Sequence, residues 1–295
     1  NGGEMKERLP HLALGVAMVA ISLSAIFIRW SESSPLVAAA HRQAFAMLLF
    51  LPPLLWNRAA GLRRLTRREL ASMAIIGLLL GAHFGFFFAA VKATSVAAAV
   101  LLATCHPVFV AAIGAVVLGE TLSRQAQHGL ALALAGMLLL LGGDLLQDPG
   151  TLHGNVLALV SGLLAGAYYL GGRSLRQTVG LADYALVVYA FSALALWSAV
   201  FAAGDTWQGL PQREYLLFGL MALVPTLLGH TLQNWALGYL PAFVVTVTLL
   251  AEPVGSGLLA LAIFGEQPGW PELLGGAAVL AGIWAVATPS KLSAA

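Results

Sequence analysis

Apolar residues run along this chain in long blocks and do not alternate with polar ones. Ten stretches, roughly 9–28, 36–56, 70–91, 96–118, 126–146, 155–172, 184–203, 215–237, 242–264 and 271–288, are each close to the about 20 residues that a helix needs to cross a bilayer core. Barrel strands would be shorter, with a period of two. The longest connections, near 57–69 and 204–214, are too short for a soluble domain. The pattern predicts an all-α integral membrane protein of ten transmembrane helices forming one membrane domain. The first block lacks an Ala-x-Ala-like cleavage end and nine more follow, so it reads as an anchor helix. Residues 1–4, ahead of Met5, read as an expression scar outside the fold.

Composition sharpens this. Hydrophobic residues make up 59% of the 295 and charged ones 9%, with a mean hydropathy of +0.86. A soluble domain carries about 25% charged residues, so an ordinary soluble enzyme, a disordered chain and a nucleic-acid binder are all excluded. The lone cysteine, Cys105, leaves no disulfide framework, Cys-based zinc site or iron–sulfur cluster. Basic residues set the orientation. With the N-terminus in the cytoplasm, eleven of the 15 Lys and Arg fall inside, Arg42 falls within a span, and only Arg29, Lys92 and Arg213 fall outside. Both ends are then cytoplasmic. The outer connections collect acids instead, among them Glu32, Asp205, Glu214, Glu266 and Glu272.

A shift of 146 residues lays the chain on itself. Pro107 falls on Pro253, Gly119-Glu120 on Gly265-Glu266, Gly129 on Gly275, Gly136 on Gly282 and His106 on Glu252. Two units follow, 5–148 and 149–295, each of five spans. Five is odd, so the second unit enters the bilayer upside down relative to the first. Inverted repeats of this kind are a common plan of secondary transporters, with the substrate site near the midplane between the halves.

The pattern Pro-(12 residues)-Glu with Gly before the Glu, followed by a Gly-rich helix, occurs as Pro107…Gly119-Glu120 and as Pro253…Gly265-Glu266. With Arg42 early in span two, this resembles the EamA-type carriers of the drug/metabolite transporter superfamily, over almost the whole chain. The resemblance implies two inverted five-helix repeats around a central cavity, with spans 1–4 and 6–9 lining it and spans 5 and 10 peripheral. Length, polar positions and a Phe-rich third span look most like the aromatic amino-acid exporters of the YddG type. The export direction and a bacterial inner membrane are implied by that resemblance alone. Spans five and ten also carry no ionisable or amide side chain from Leu130 to Leu141 and from Leu273 to Val286.

An ionisable group inside a membrane is costly and is by default a functional candidate. His106 and Glu252 each lie about ten residues into their spans, roughly 15 Å from the entry end at the helical rise, and each precedes a proline. They read as cavity residues that bind a substrate amine or exchange a proton. The competing reading is that they satisfy backbone groups freed by the proline. His83 and Phe87 share a face of span three and suit a substrate with an aromatic body. The competing reading has His83 bonding a neighbouring helix while some of the phenylalanines face lipid. His230 and Asn234 share a face of span eight and read as cavity floor or gate. Arg42 could snorkel, grip a carboxylate or fix the helix; a gating or structural role is expected, because the resemblance places Arg here across carriers of different substrates. Tyr168, Tyr169 and Arg173 read as cavity wall or as interfacial residues. Pro107 and Pro253 read as symmetric hinges. Gly77, Gly81, Gly85, Gly162 and Gly166 read as close helix contacts.

No phosphate-binding loop, metal-protease motif or cluster at metal-ligand spacing occurs, so no cofactor and no metal are expected. Ser161 lacks the glycine of a Gly-x-Ser-Gly nucleophile motif and has no evident histidine partner at its depth. The expected partners are a small-molecule substrate and the lipid bilayer, with no nucleic acid; a monomer is compatible with the plan. The expected function is export of aromatic or hydrophobic amino acids by alternating access. The rivals are a carrier of a cationic drug or nucleotide-linked metabolite and an intramembrane enzyme.

Overall fold

The computed structural model of the protein describes residues 2–52, 61–109, 123–147, 149–175, 178–236, 248–249 and 251–287. Among them all regular structure is helical, in ten α-helices and one 3-10 turn, Leu62–Arg64. The first five are α1 (Gly2–Trp30), α2 (Pro35–Leu49), α3 (Arg67–Ala93), α4 (Val96–Ala103) and α5 (Arg124–Gln147). Then come α6 (Pro149–Leu175), α7 (Leu181–Ala203), α8 (Gln212–Met221), α9 (Ala251–Phe264) and α10 (Trp270–Ala287). Past Met221, α8 continues as a π-helical stretch, Ala222–Thr231, and a last α turn, Leu232–Ala236. Six helices are long and apolar enough to cross a membrane, and Val96–Phe109, Ala251–Phe264 and Trp270–Val286 are shorter apolar helices. Large apolar side chains face outward, such as Leu12, Val19, Leu138 and Leu216. That exterior suits lipid.

Lipid offers no hydrogen bonds, so helix ends must be satisfied by the chain itself. The sequence supplies the caps. Ser34 Oγ accepts the Val37 N–H ahead of α2, where Pro35 needs no donor. Thr66 and Glu69 form a reciprocal capping box at α3. Ser95 Oγ accepts the Ala98 N–H at α4. Gly204 ends α7 with φ of 70°, a left-handed conformation that glycine adopts without strain.

Two spans are not the plain helices that hydropathy predicts. In span four a turn at Thr104-Cys105 interrupts the helix just before His106-Pro107, and helix resumes through Phe109. Pro107 has no N–H to give the Ala103 carbonyl four residues back, and its ring crowds that carbonyl, which accounts for a break in this turn. In α8, Pro225 donates no N–H, and the backbone winds wider over one whole segment. Thr226 Oγ1 donates to the Met221 carbonyl at 3.1 Å and Thr231 Oγ1 to the Thr226 carbonyl at 3.3 Å, each five residues back. Hydroxyls thus serve carbonyls within the altered ladder.

Helices of the two halves interleave. α3 packs on α6 as α8 packs on α1, and α4 packs on α6 as α9 packs on α1. α2 packs with α7, α4 with α9 and α5 with α10. The last pair meets backbone to backbone. A Cβ on Gly129 would lie 2.7 Å from the Gly282 carbonyl, and one on Gly282 would lie 2.5 Å from the Gly129 carbonyl. Gly136 and Gly275 block each other in the same way, at 2.6 and 2.8 Å. These four glycines are the ones the 146-residue shift superposes. Gly77 and Gly81 approach α7, and Gly162 approaches the Leu102 carbonyl, whereas Gly85 has ordinary clearance.

Gly136→Val should therefore destabilise the protein by about 1–3 kcal/mol, the usual cost of overpacking, because backbone and not flexible side chain stands in the way. Gly142→Ala, in the same helix with nothing within 4 Å, should be near neutral. Unfolding of the purified variants in detergent measures both.

Candidate functional site

A cavity of about 70 Å³ lies at the centre of the bundle. Side chains from α1 to α4 and from α6 to α9 line it, and none of the described residues of α5 or α10 does. His83, Phe87, His106, His230 and Glu252 all border it. Arg42, expected as a gating or structural residue, borders it too. Asn234's side chain lies outside the described residues, as do the Arg173 side chain and Gly119-Glu120. Neither Pro107 nor Pro253 lines this cavity.

Arg42 is fully buried. Its Nε donates to Thr226 Oγ1 at 3.1 Å and its Nη1 to Ser24 Oγ at 3.0 Å. The guanidinium carbon stands 4.4 Å from the Phe84 ring centroid and 5.7 Å from that of Phe88, within cation–π range. One side chain thus ties α2 to α1, α3 and α8. The π-helical winding matters here, because it is the segment that carries Thr226.

His83 Nδ1 lies 2.9 Å from both the Ser161 hydroxyl and the Ser161 carbonyl oxygen. This corrects the sequence reading, which found no histidine partner for Ser161. Ser161 is fully buried and does not line the cavity. It orients the ring across the α3–α6 contact. The His83 ring also stacks on Phe87, with centroids 6.0 Å apart and planes 7° apart. Of the four phenylalanines in span three, Phe84, Phe87 and Phe88 are buried and Phe86 is exposed. His106 packs on Tyr169 at 4.8 Å, and Tyr169 on Tyr168 at 5.0 Å. Glu252 makes no hydrogen bond or ion pair among the described residues. Three histidines border the cavity, yet among the described residues no three metal-ligating side chains gather closely enough to hold an ion.

Sequence reasoning missed Phe84, Tyr189, Ser24, Thr104 and Thr226, and it left Tyr168 and Tyr169 open between wall and interface. Tyr189 had a signal, a phenol in the middle of an apolar span. The hydroxyls at Ser24 and Thr226 had the same signal.

A larger groove of about 320 Å³ lies between α4, α9 and the α5–α10 pair. Its walls are almost wholly apolar, and Leu258 and Leu273 on them are exposed. Its polar residues gather at one end, where Glu266 and Glu272 are already engaged. The larger space is therefore the less chemical one.

That end of the bundle is closed by a hydrogen-bonded seal. Glu214 accepts from Ser31 Oγ at 2.5 Å, Ser33 Oγ at 2.6 Å and the Glu32 N–H at 3.0 Å. Lys92 donates to the Ser31 and Ser33 carbonyls at 2.6 and 2.7 Å. Arg29 Nη2 bridges the Thr94 carbonyl at 2.8 Å and Glu266 at 2.7 Å. Glu266 also accepts the Val96 N–H at 2.9 Å, and Glu272 accepts Ser95 Oγ. The Gly-Glu pair now has a physical reason. Gly265, with φ of 70°, ends α9 and delivers Glu266 to the first turn of α4, where a carboxylate is favourable.

Eight helices of a membrane bundle reach one buried chamber, and the comparisons supply the class of protein. The EamA-like transporter family matches residues 9–142 and again residues 152–288; the chain belongs to that family and is a multi-pass membrane transporter. An uncharacterized transporter of Archaeoglobus fulgidus is 26% identical over 288 residues, covering 94% of this chain and 95% of its own. A second from the same organism is 28% identical over 286 residues, covering 93% and 96%. A crystal structure of a protein with 20% identity aligns with a TM-score of 0.64, over 95% of this chain and 97% of its own, which shows the fold.

Removing a strut should loosen the seal. With Cys105 replaced by Ala and a reporter placed by Thr104→Cys on the cavity wall, Glu266→Ala should raise labelling by a membrane-impermeant maleimide, added from the sealed side, severalfold. An unchanged labelling rate would show that the strut does not hold this end shut.

Proposed function

We propose that the protein is a secondary transporter that exports aromatic and other hydrophobic amino acids across a bacterial inner membrane by alternating access, with both termini in the cytoplasm. Its two five-helix units, 5–148 and 149–295, enter the bilayer in opposite senses. The observation that carries this reading is the cavity itself: the rings of Phe84, Phe87, Tyr168, Tyr169 and Tyr189 line it together with one guanidinium and one carboxyl group. Rings supply apolar area, and the charged groups suit the two poles of an amino acid. Few fixed polar groups in an apolar wall is the usual character of a small-molecule site.

Two further features support the inverted plan. The family matches twice, once in each half. The glycine contacts of α5 and α10 are reciprocal and antiparallel, Gly129 against Gly282 and Gly136 against Gly275, as a two-fold axis across the helices requires. The seal and the cavity together support alternating access. One end is laced shut, and the cavity is far below the roughly 300–1,000 Å³ of an occupied small-molecule pocket. A substrate enters only when helices part at the other end. Pro107 and Pro253, beside the cavity residues His106 and Glu252, serve as the hinges.

The rivals fit less well. A bare organic cation would meet Arg42 in the same cavity. A nucleotide-linked metabolite would want several cavity cations, and Arg42 is the one Lys or Arg among the described residues that line it. An enzyme reading would need a reactive Ser161, which is shut behind His83.

Flux tests the reading. Purified protein in liposomes, offered threonine, methionine, phenylalanine and tryptophan, should move the two aromatic amino acids fastest. Chemical turnover without flux, or flux of none of the four, would reject it. Pro107→Ala and Pro253→Ala should each slow transport at normal expression; wild-type rates in both would remove the hinges.

A further inference from the structure

Arg42 is held more firmly than a lining residue needs to be. Thr226 fixes Nε, Ser24 fixes Nη1 and the Phe84 ring covers one face. Its third nitrogen, Nη2, has no hydrogen-bond partner among the described residues. A buried donor left without an acceptor is destabilising, more so when it is charged, and the two anchors prevent the guanidinium from turning away to find one. Glu252 stands at the same cavity with no hydrogen bond among the described residues. The ion pairs among those residues are Arg29–Glu266 and Arg213–Glu32. Arg42 and Glu252 therefore share a chamber without pairing. A guanidinium and a carboxyl group at one cavity, with no ion pair between them among the described residues, leave room for a ligand group at each.

We propose that Arg42 is the carboxylate anchor of the substrate site. Nη2 donates to the substrate carboxylate, Glu252 takes the ammonium group, and the site thereby selects zwitterions over amines or acids of the same shape. This rests on the amino-acid reading above and adds its specificity rule. The role differs from a merely structural one. Ser24 and Thr226 use two nitrogens to position the group, and the third is kept for the ligand. With a single free nitrogen the contact is one charge-assisted hydrogen bond and not a two-pronged fork. The Phe84 face keeps the cation from hydrating and so keeps its pull on a carboxylate strong.

Competition on the unmodified protein is the first test, since it needs no variant to fold. Proteoliposomes preloaded with tryptophan exchange it for labelled tryptophan. Competitors are tryptophan, tryptamine, which lacks the carboxylate, and indole-3-propionate, which lacks the ammonium. Each one-charge analogue should compete about tenfold or more weakly than tryptophan, the size of one charge-assisted hydrogen bond. Arg42→Gln, which keeps an amide donor toward Ser24 and Thr226, should raise the KM for tryptophan and shrink its advantage over tryptamine. The advantage over indole-3-propionate should persist in that variant. Equal competition by tryptamine in the unmodified protein, or an undiminished preference in a folded Arg42→Gln, overturns the anchor while leaving the amino-acid reading intact. Absence of tryptophan exchange in the unmodified protein overturns both.

Discussion

A charged guanidinium sits fully buried in a bundle whose outer surface is built for lipid, and it cannot be neutralised at physiological pH. That constraint organises the centre of the molecule. Three other helices bring Ser24, Phe84 and Thr226 to Arg42, and the unusual winding of α8 around Pro225 belongs to the same arrangement because Thr226 lies on it. Hydrogen bonds to charged groups are worth about 1.5–3 kcal/mol each, so losing one of these contacts would be felt through four helices. The cavity forms where this cluster meets the rings of α6 and α7 and the carboxylate on α9.

One end of the bundle is closed by short contacts in which serines, backbone amides and carbonyls all take part, with Glu214, Lys92, Arg29 and Glu266 as the charged struts. Most of these groups would be well hydrated if the end opened, so the seal is strong in geometry but small in net energy. That balance suits the opening proposed for this end. The packing of α5 on α10 is of another kind, glycine against glycine with backbones in contact, and it has little to gain by moving. A fixed flank beside a releasable end is what a rocking mechanism needs.

Much of this was legible in the sequence. Spans stand out because lipid requires long uninterrupted apolar runs, and deep ionisable groups stand out because they are costly there. His83, His106, His230 and Glu252 were found that way, and the structure brings all four to one cavity. What failed to show depends on register between helices. Tyr168 and Tyr169 look interfacial along the chain, and only the packing of Tyr169 on His106, and of Tyr168 on Tyr169, shows them turned inward. The pairing of Ser161 with His83 spans α3 and α6, and no local pattern announces it. The Gly-Glu pair was visible as a motif, but its purpose requires the first turn of α4 to lie beside the end of α9. Arg42 was visible as a lone deep cation, yet its spare nitrogen follows only from knowing which two atoms are already held.

The central claim is that two oppositely inserted halves open a shared chamber to one side at a time. Spin labels on exposed positions measure it directly: Glu32 with Gln267 across the sealed end, and Arg68 with Thr178 at the other. Electron–electron distances recorded with and without a transported amino acid should move in opposite senses, one pair lengthening as the other shortens. Two pairs that stay fixed, or that lengthen together, would contradict the account.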